Sequence, residues 1–186
     1  MKRLVVLASG SGTLAEAIFD ADFSAESAEV VALICDRPEA MVLERAQSRG
    51  IESYTIPMVG DRTIWSAELE ALIAALRPDL VISAGFMRIL PEAITNRFKI
   101  INSHPALLPL FPGAHAVRDA LAAGATETGT TIHWVDAGVD TGEIIAQEKV
   151  EISPEDTEES LHERIKIVER GLIVATISRL LPTLEQ

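Results

Sequence analysis

Short apolar runs alternate with stretches of helical periodicity along the first hundred residues, and this alternation limits the fold more than any other feature. The runs are Arg3–Ser9, Val30–Ile34, Ile51–Ile56, Leu80–Ala84 and Ile100–Asn102. Between them Thr13–Asp22, Met41–Arg49 and Arg62–Leu76 carry apolar residues at helical spacing. Val30–Ile34 is continuously apolar, the pattern of a strand covered on both faces. Gly50 stands where the second helix would need a C-cap. Strand and helix in alternation predict an α/β domain with a mostly parallel central sheet and helices on both faces. After Gly113 the pattern changes. A short helix over His115–Ala123 precedes two strands, Thr128–Val135 and Glu143–Val150, joined by a turn with two glycines; they predict an antiparallel extension near the C-terminus. A long last helix follows, with Leu161, Ile165, Val168 and Leu172 on one face. Asp156 and Glu159 have the spacing of a capping box at its start.

With 186 residues the chain is expected to form one domain with a full core. No apolar run reaches the roughly 18 residues of a membrane span. Met1–Leu7 runs straight into Ser9-Gly10-Ser11-Gly12, which suits a first strand better than a signal peptide, so a cytoplasmic protein is expected. A single cysteine, Cys35, excludes an intramolecular disulfide and a Cys-rich metal site. The formal charge of −12 argues against a partner bound by neutralising phosphates, such as nucleic acid. An anionic small ligand would need backbone amides and a few placed cations.

Four stretches carry the chemistry. At Asn102-Ser103-His104-Pro105, Asn and His at i and i+2 of an extended chain project to one side, and the proline ends the strand. An oxyanion donor and a titratable ring then share one rim, although a turn with a surface histidine fits the same residues. Gly10-Ser11-Gly12-Thr13-Leu14-Ala15 follows the first strand and opens a helix, where free amides attract a phosphate; a plain tight turn has the same composition. Asp36, ending the second strand, occupies the place of a ribose ligand in dinucleotide-binding folds, but no room for a second substrate domain is visible. Gly85–Pro91 lies beyond a buried strand, where open α/β sheets collect ligands, and its Arg88 is hard to explain as core. Asp140 lies in a loop of small residues that can present a carboxylate inward, and one near His104 would favour the imidazolium; a solvated turn Asp fits the same residues. His133 fits either that same end or a satisfied core position. No histidine pair among His104, His115 and His133 has helical ligand spacing, so no metal is expected.

In this order the motifs closely resemble the folate-dependent phosphoribosylglycinamide formyltransferase family. They are Ser9–Thr13, Ala84–Leu90, Asn102–Pro109, Phe111–Gly113 and Gly138–Gly142, spread from Val5 to the terminal helix. The resemblance implies a single-domain Rossmann-like formyltransferase fold. Residues 1–100 would form its ribonucleotide-phosphate half and residues 101–186 its catalytic and folate-loop half. It implies transfer of the formyl group of 10-formyltetrahydrofolate, as co-substrate and without a metal, to the amine of glycinamide ribonucleotide in purine biosynthesis. Asn102, His104 and Asp140 match the family's catalytic trio. Gly12, Thr13, Leu14 and Pro105 match ribonucleotide contacts, and Glu169 matches a carboxylate that recognises the glycinamide part. Arg62, Met87, Arg88, Ile89, Leu90, Asn102 and Asp136, Ala137, Gly138, Val139 and Asp140 match folate contacts. Leu14 replaces an Asn of some members and leaves only a backbone amide there; Leu110 and Glu143 stand where Lys and Pro are common.

Two other readings share part of the pattern. A methionyl-tRNA formyltransferase has the same Asn-x-His-Pro and Asp, but normally a further C-terminal domain and an electropositive surface, against which this acidic chain ending in one helix argues. A non-catalytic Rossmann-type phosphate-binding module would need none of Asn102, His104 and Asp140. The substrates are expected to be small molecules, with no nucleic acid and no membrane. The oligomeric state is left open, a homodimer included.

Overall fold

The computed structural model describes residues 1–184. In chain order the elements are β1 (Lys2–Ala8), α1 (Thr13–Phe19), β2 (Ala28–Cys35), α2 (Met41–Gln47), β3 (Ser53–Thr55), α3 (Arg62–Leu76), β4 (Leu80–Ser83) and α4 (Glu92–Thr95). Then come β5 (Ile100–His104), α5 (Ala116–Ala122), β6 (Glu127–Trp134), β7 (Ile144–Glu151) and α6 (Glu158–Leu180). The strands form one sheet in the order β3-β2-β1-β4-β5-β6-β7. β1 to β5 are parallel, and β6 and β7 join antiparallel. The chain moves outward from β1 to β3 and returns to place β4 against the other side of β1. The loops after β1 and β4 therefore flank the topological switch point, where the diverging connections leave a crevice.

The two-residue period of the strands divides the core into two layers. Leu4, Val6, Leu33, Ile82 and Ile101 pack with α1, α2 and α6 through Leu14, Ile18, Val42, Ile173 and Ile177. Val5, Leu7, Ile34, Val81 and Ile100 pack against α3 through Trp65, Leu69 and Ile73, and against Phe86, Leu90 and Ile94. Helices cover both faces, as the alternation requires. A smaller cluster of Val117, Val150, Leu161 and Ile165 seats α5 and β7 against the first turns of α6.

Three local expectations change. β5 does not stop at Asn102 but runs through Ser103 to His104, because β6 pairs with it up to the His104–Thr131 position. A one-turn helix, α4, follows Pro91, where none is expected from so short a periodic stretch. The cap of α6 is Thr157, whose hydroxyl accepts from the Ser160 amide at 3.1 Å while Ser160 Oγ accepts from the Thr157 amide at 3.0 Å. Asp156, one residue too early to cap, is instead held by both terminal nitrogens of Arg164 at 2.6 and 2.7 Å.

The chain beyond His104 turns back along β6 and is held there by one buried hydroxyl. Thr131 Oγ1 donates to the Ala106 carbonyl at 2.6 Å and accepts from the Leu108 amide at 3.1 Å and from Gln147 Nε2 at 2.9 Å. Thr131→Val would keep the shape and leave these three groups short of a partner, two of them on the main chain. Such loss costs about 1–3 kcal/mol. Urea unfolding of the variant should show that decrease at an unchanged denaturant slope.

Candidate active site

The pleat of β5 sends Ile100, Asn102 and His104 toward the α3 face, and Ile101 and Ser103 toward the α6 face. β6 answers across the ladder: Asn102 stands opposite His133, and His104 opposite Thr131. Asn102, His104 and His133 therefore gather on one side of the sheet, at the carboxyl end of β5. The loop between β6 and β7 brings in Asp140, whose φ of 54° is left-handed, a conformation Asp tolerates better than most residues. The glycine at 142 lets that loop close, since a Cβ there would lie 1.7 Å from the Trp134 carbonyl oxygen.

Asp140 bridges the two imidazoles. Its Oδ2 lies 3.3 Å from His104 Nδ1 and accepts from the Gly113 amide at 2.8 Å, while its Oδ1 lies 3.5 Å from His133 Nε2. Burial pushes the Asp140 carboxyl up, but the hydrogen bond from His133, the Gly113 amide and the charges of His104 and His133 outweigh it. The net effect holds the carboxyl below its ordinary value. His104 is buried, and its Nε2 lies 2.8 Å from the carbonyl of Phe111. Both ring nitrogens thus face acceptors, an arrangement that matches an imidazolium donating from each. On His133, Nδ1 donates to the Trp134 carbonyl at 2.8 Å, and Nε2 lies between Asp140 Oδ1 at 3.5 Å and Asn102 Nδ2 at 3.3 Å. The Asn102 carboxamide thus sits against the His133 ring.

The remaining residues singled out from the sequence fall into three groups. Gly12 is left-handed at φ 74° and lies so close to α2 that a Cβ would meet Val42 at 2.4 Å. The Val42 amide and Arg45 Nε hold the Gly10 and Ser11 carbonyls at 3.2 and 2.7 Å. Thr13 and Leu14 open α1 with amides that have no partner within the helix, and the Leu14 side chain is buried in the core. On the α3 face, Arg62 Nη2 donates to the Ile89 carbonyl at 2.7 Å. Met87 and Ile89 are exposed there and Leu90 is buried. Arg88 does not offer its charge to a ligand: its Nε reaches buried Asp36 Oδ2 at 2.5 Å. The same contact removes Asp36 as a ribose ligand. Asp136 to Val139 form an exposed turn, in which Asp136 Oδ1 accepts from the Gly138 amide at 3.0 Å and from Thr141 Oγ1 at 2.7 Å. Pro105 follows β5 directly, half-buried.

Glu169 lies on the far side of β5. It is buried against the strand, and Ser103 Oγ donates to its Oε1 at 2.6 Å. His133 belongs with Asn102, His104 and Asp140, although sequence alone leaves it as readily in the core; the β5–β6 register that places it is not written in any motif. Among the described residues, no group of three or more His, Cys, Asp or Glu side chains is arranged to hold a metal ion. His115 sits exposed before α5. No helix among the described residues is long and apolar enough to cross a membrane.

An amide donor and a buried imidazole on a carboxylate, gathered at one strand tip, are groups that acyl transfer can use. Residues 2–177 match the model of the formyl transferase family. The chain belongs to that family. It is 48% identical over 182 residues to a phosphoribosylglycinamide formyltransferase of Mycobacterium tuberculosis, covering 96% of this chain and 84% of that one. With the enzyme of the same name from Bacillus subtilis it shares 39% identity, over 97% of this chain and 95% of the relative. The crystal structure of glycinamide ribonucleotide transformylase 1 from Symbiobacterium toebii superposes with a TM-score of 0.94 at 38% identity, covering 98% of this chain and 89% of that one. That of phosphoribosylglycinamide formyltransferase from Bacillus halodurans superposes with a TM-score of 0.92 at 40% identity, covering 99% and 97%.

Because its folded value is depressed, Asp140 contributes stability that is present above the unfolded value of 3.8 and lost as the pH falls through the folded one. The carbon-13 shift of its carboxyl should therefore show a midpoint below 3.8. The stability margin of the protein over Asp140→Asn should be constant above that pH and shrink below it.

Proposed function

We propose that this chain transfers the formyl group of 10-formyltetrahydrofolate to the amine of glycinamide ribonucleotide, yielding formylglycinamide ribonucleotide and tetrahydrofolate in purine biosynthesis. The observation that carries the reading is the convergence of Asn102, His104 and Asp140 at the tip of β5, in a chain nearly half identical to a phosphoribosylglycinamide formyltransferase. The substrates divide by the faces of that strand. The Gly12–Leu14 turn takes the phosphate through backbone amides, and Glu169 and Pro105 take the remainder of the ribonucleotide. Arg62, the Met87–Leu90 segment and the Asp136–Asp140 loop take the folate. Arg88 serves in that segment through its backbone, its side chain being spent on Asp36. Residues 1–100 and 101–186 each contribute to both substrates in this assignment.

The amine attacks the formyl carbon, and the carbonyl oxygen becomes an oxyanion. An amide hydrogen of Asn102 and an imidazolium N–H of His104 stabilise it. As the bond from the formyl carbon to the folate nitrogen breaks, that nitrogen takes a proton from His104 and the attacking amine gives one up, so the ring is restored. Asp140 holds the His104 ring in place through Nδ1. His133 orients the Asn102 carboxamide and shares the Asp140 carboxylate. The cytoplasm as the location and a homodimer as the assembly belong to the same proposal; cell fractionation and light scattering of the purified chain test them.

The decisive assay follows loss of 10-formyltetrahydrofolate with and without glycinamide ribonucleotide: deformylation that requires the ribonucleotide is expected. Asn102→Ala should lower kcat by about 10²–10³, the usual effect of deleting an oxyanion donor, with an unchanged melting temperature. Near wild-type turnover in that variant would remove the assignment.

A further inference from the structure

The pleat of β5 leaves one polar side chain that formyl transfer does not use. Ser103 stands between Asn102 and His104 in the chain, yet points to the opposite face. Its hydroxyl donates to Glu169 Oε1 at 2.6 Å, and Thr130 Oγ1 lies 3.5 Å from it. Ser103 and Glu169 are each only 8% exposed, and Thr130 is fully buried. Glu169 Oε2 has no hydrogen-bond partner among the described residues and is not one of the sealed orphan atoms. One carboxylate oxygen is thus tied to the strand that carries the reacting groups, and the other is left to accept.

We propose that Ser103 is a positioning residue for the ribonucleotide: it fixes the plane of the Glu169 carboxylate and presents Oε2 to N–H or O–H donors of that substrate. The proposal rests on Glu169 being a ribonucleotide ligand. The terminal torsion of a glutamate is soft, so without a partner the plane is free to turn. A hydrogen bond to the charged form also keeps a buried carboxylate ionised. Burial pushes Glu169 above the ordinary carboxylate value; the Ser103 hydroxyl draws it back, helped by the charges of Lys166 and Arg170 on its own helix. The groups of β5 and β6 beside this contact, Ser103 and Thr130, are hydroxyls, and His104 faces the other way. The ionisation of Glu169 therefore depends on one serine proton more than on any single charge.

Steady-state kinetics of Ser103→Ala, Ser103→Thr, Glu169→Gln and the Ser103→Ala/Glu169→Gln double variant, each with its melting temperature, test this. Ser103→Ala should raise KM for the ribonucleotide about tenfold, as expected for losing a hydrogen bond to a charged group, with KM for the folate unchanged and kcat lowered no more than about twofold. The acidic limb of kcat/KM for the ribonucleotide should move to higher pH. Ser103→Thr, which keeps the hydroxyl, should restore both. The double variant should match Glu169→Gln alone, since residues acting through one contact are not additive. Should the alanine variant not fold, Ser103→Cys, with a weaker donor of similar size, should show the same shifts. Wild-type KM and pH profile in Ser103→Ala beside an impaired Glu169→Gln would overturn this proposal alone, as would additive losses in the double variant. A wild-type KM in Glu169→Gln would instead overturn the ribonucleotide role of Glu169 on which it stands.

Discussion

A β-strand must send successive side chains to opposite faces, and in this protein that constraint, acting on three consecutive residues of β5, organises the site. Asn102 and His104 face α3, while Ser103 faces α6. The tip of β5 thus offers different side chains to the two faces of the sheet. The switch point between β1 and β4 supplies the crevice, and the two loops at its rim are tied to each other. The Ser9 amide donates to the Gly85 carbonyl at 3.2 Å, and the Met87 amide to Ser9 Oγ at 2.8 Å. The glycine turn and the Met87–Leu90 segment are in this way one unit, set by the same backbone contacts.

The electrostatics are arranged locally, in a chain whose overall charge is negative. An anionic ribonucleotide and an anionic folate gain nothing from a net charge of −12. What the site offers is directional: backbone amides at Gly12–Leu14, an Asn102 amide hydrogen, and a histidine ring between a carboxylate and a carbonyl. Several cations near the crevice are already paired inside the protein. Arg88 is held by Asp36, and Arg45, beside the glycine turn, by Glu16. Discrimination therefore rests on hydrogen-bond geometry more than on attraction at a distance.

Much of this was legible in the sequence because it depends on local rules. Alternating periodicity located the helices and the parallel strands, with Arg62–Leu76 matching to the residue. Asn102, His104 and Asp140 stood out as candidates in short motifs and took their proposed roles from the family resemblance; the structure brings them to one end of β5. What sequence could not supply was pairing across space. His133 enters the site through its register opposite Asn102, which only the β5–β6 ladder determines. Arg88 and Asp36 are 52 residues apart, and nothing in either segment announces their contact. Glu169 carried a local signal: it falls at i+4 from Ile165 and i−4 from Ile173 on the buried stripe of α6, where a carboxylate is costly unless it has a task. Thr157 displaced Asp156 as the cap of α6 because Asp156 had a better partner in Arg164, a choice made by tertiary contact and not by capping preference.

The carbonyl of Phe111 on His104 Nε2 has a consequence for how a ligand reaches the ring. Phe111 is left-handed at φ 53°, which aims its oxygen at the imidazole. A proton on Nε2 is therefore never bare: it is lodged on a main-chain acceptor inside the protein. An arriving formyl oxygen does not have to strip water from a cation; it has only to exchange places with another carbonyl of like basicity. Swapping one acceptor for another changes the free energy far less than making a buried hydrogen bond from nothing. The Phe111 peptide thus acts as a placeholder for the oxygen of a ligand.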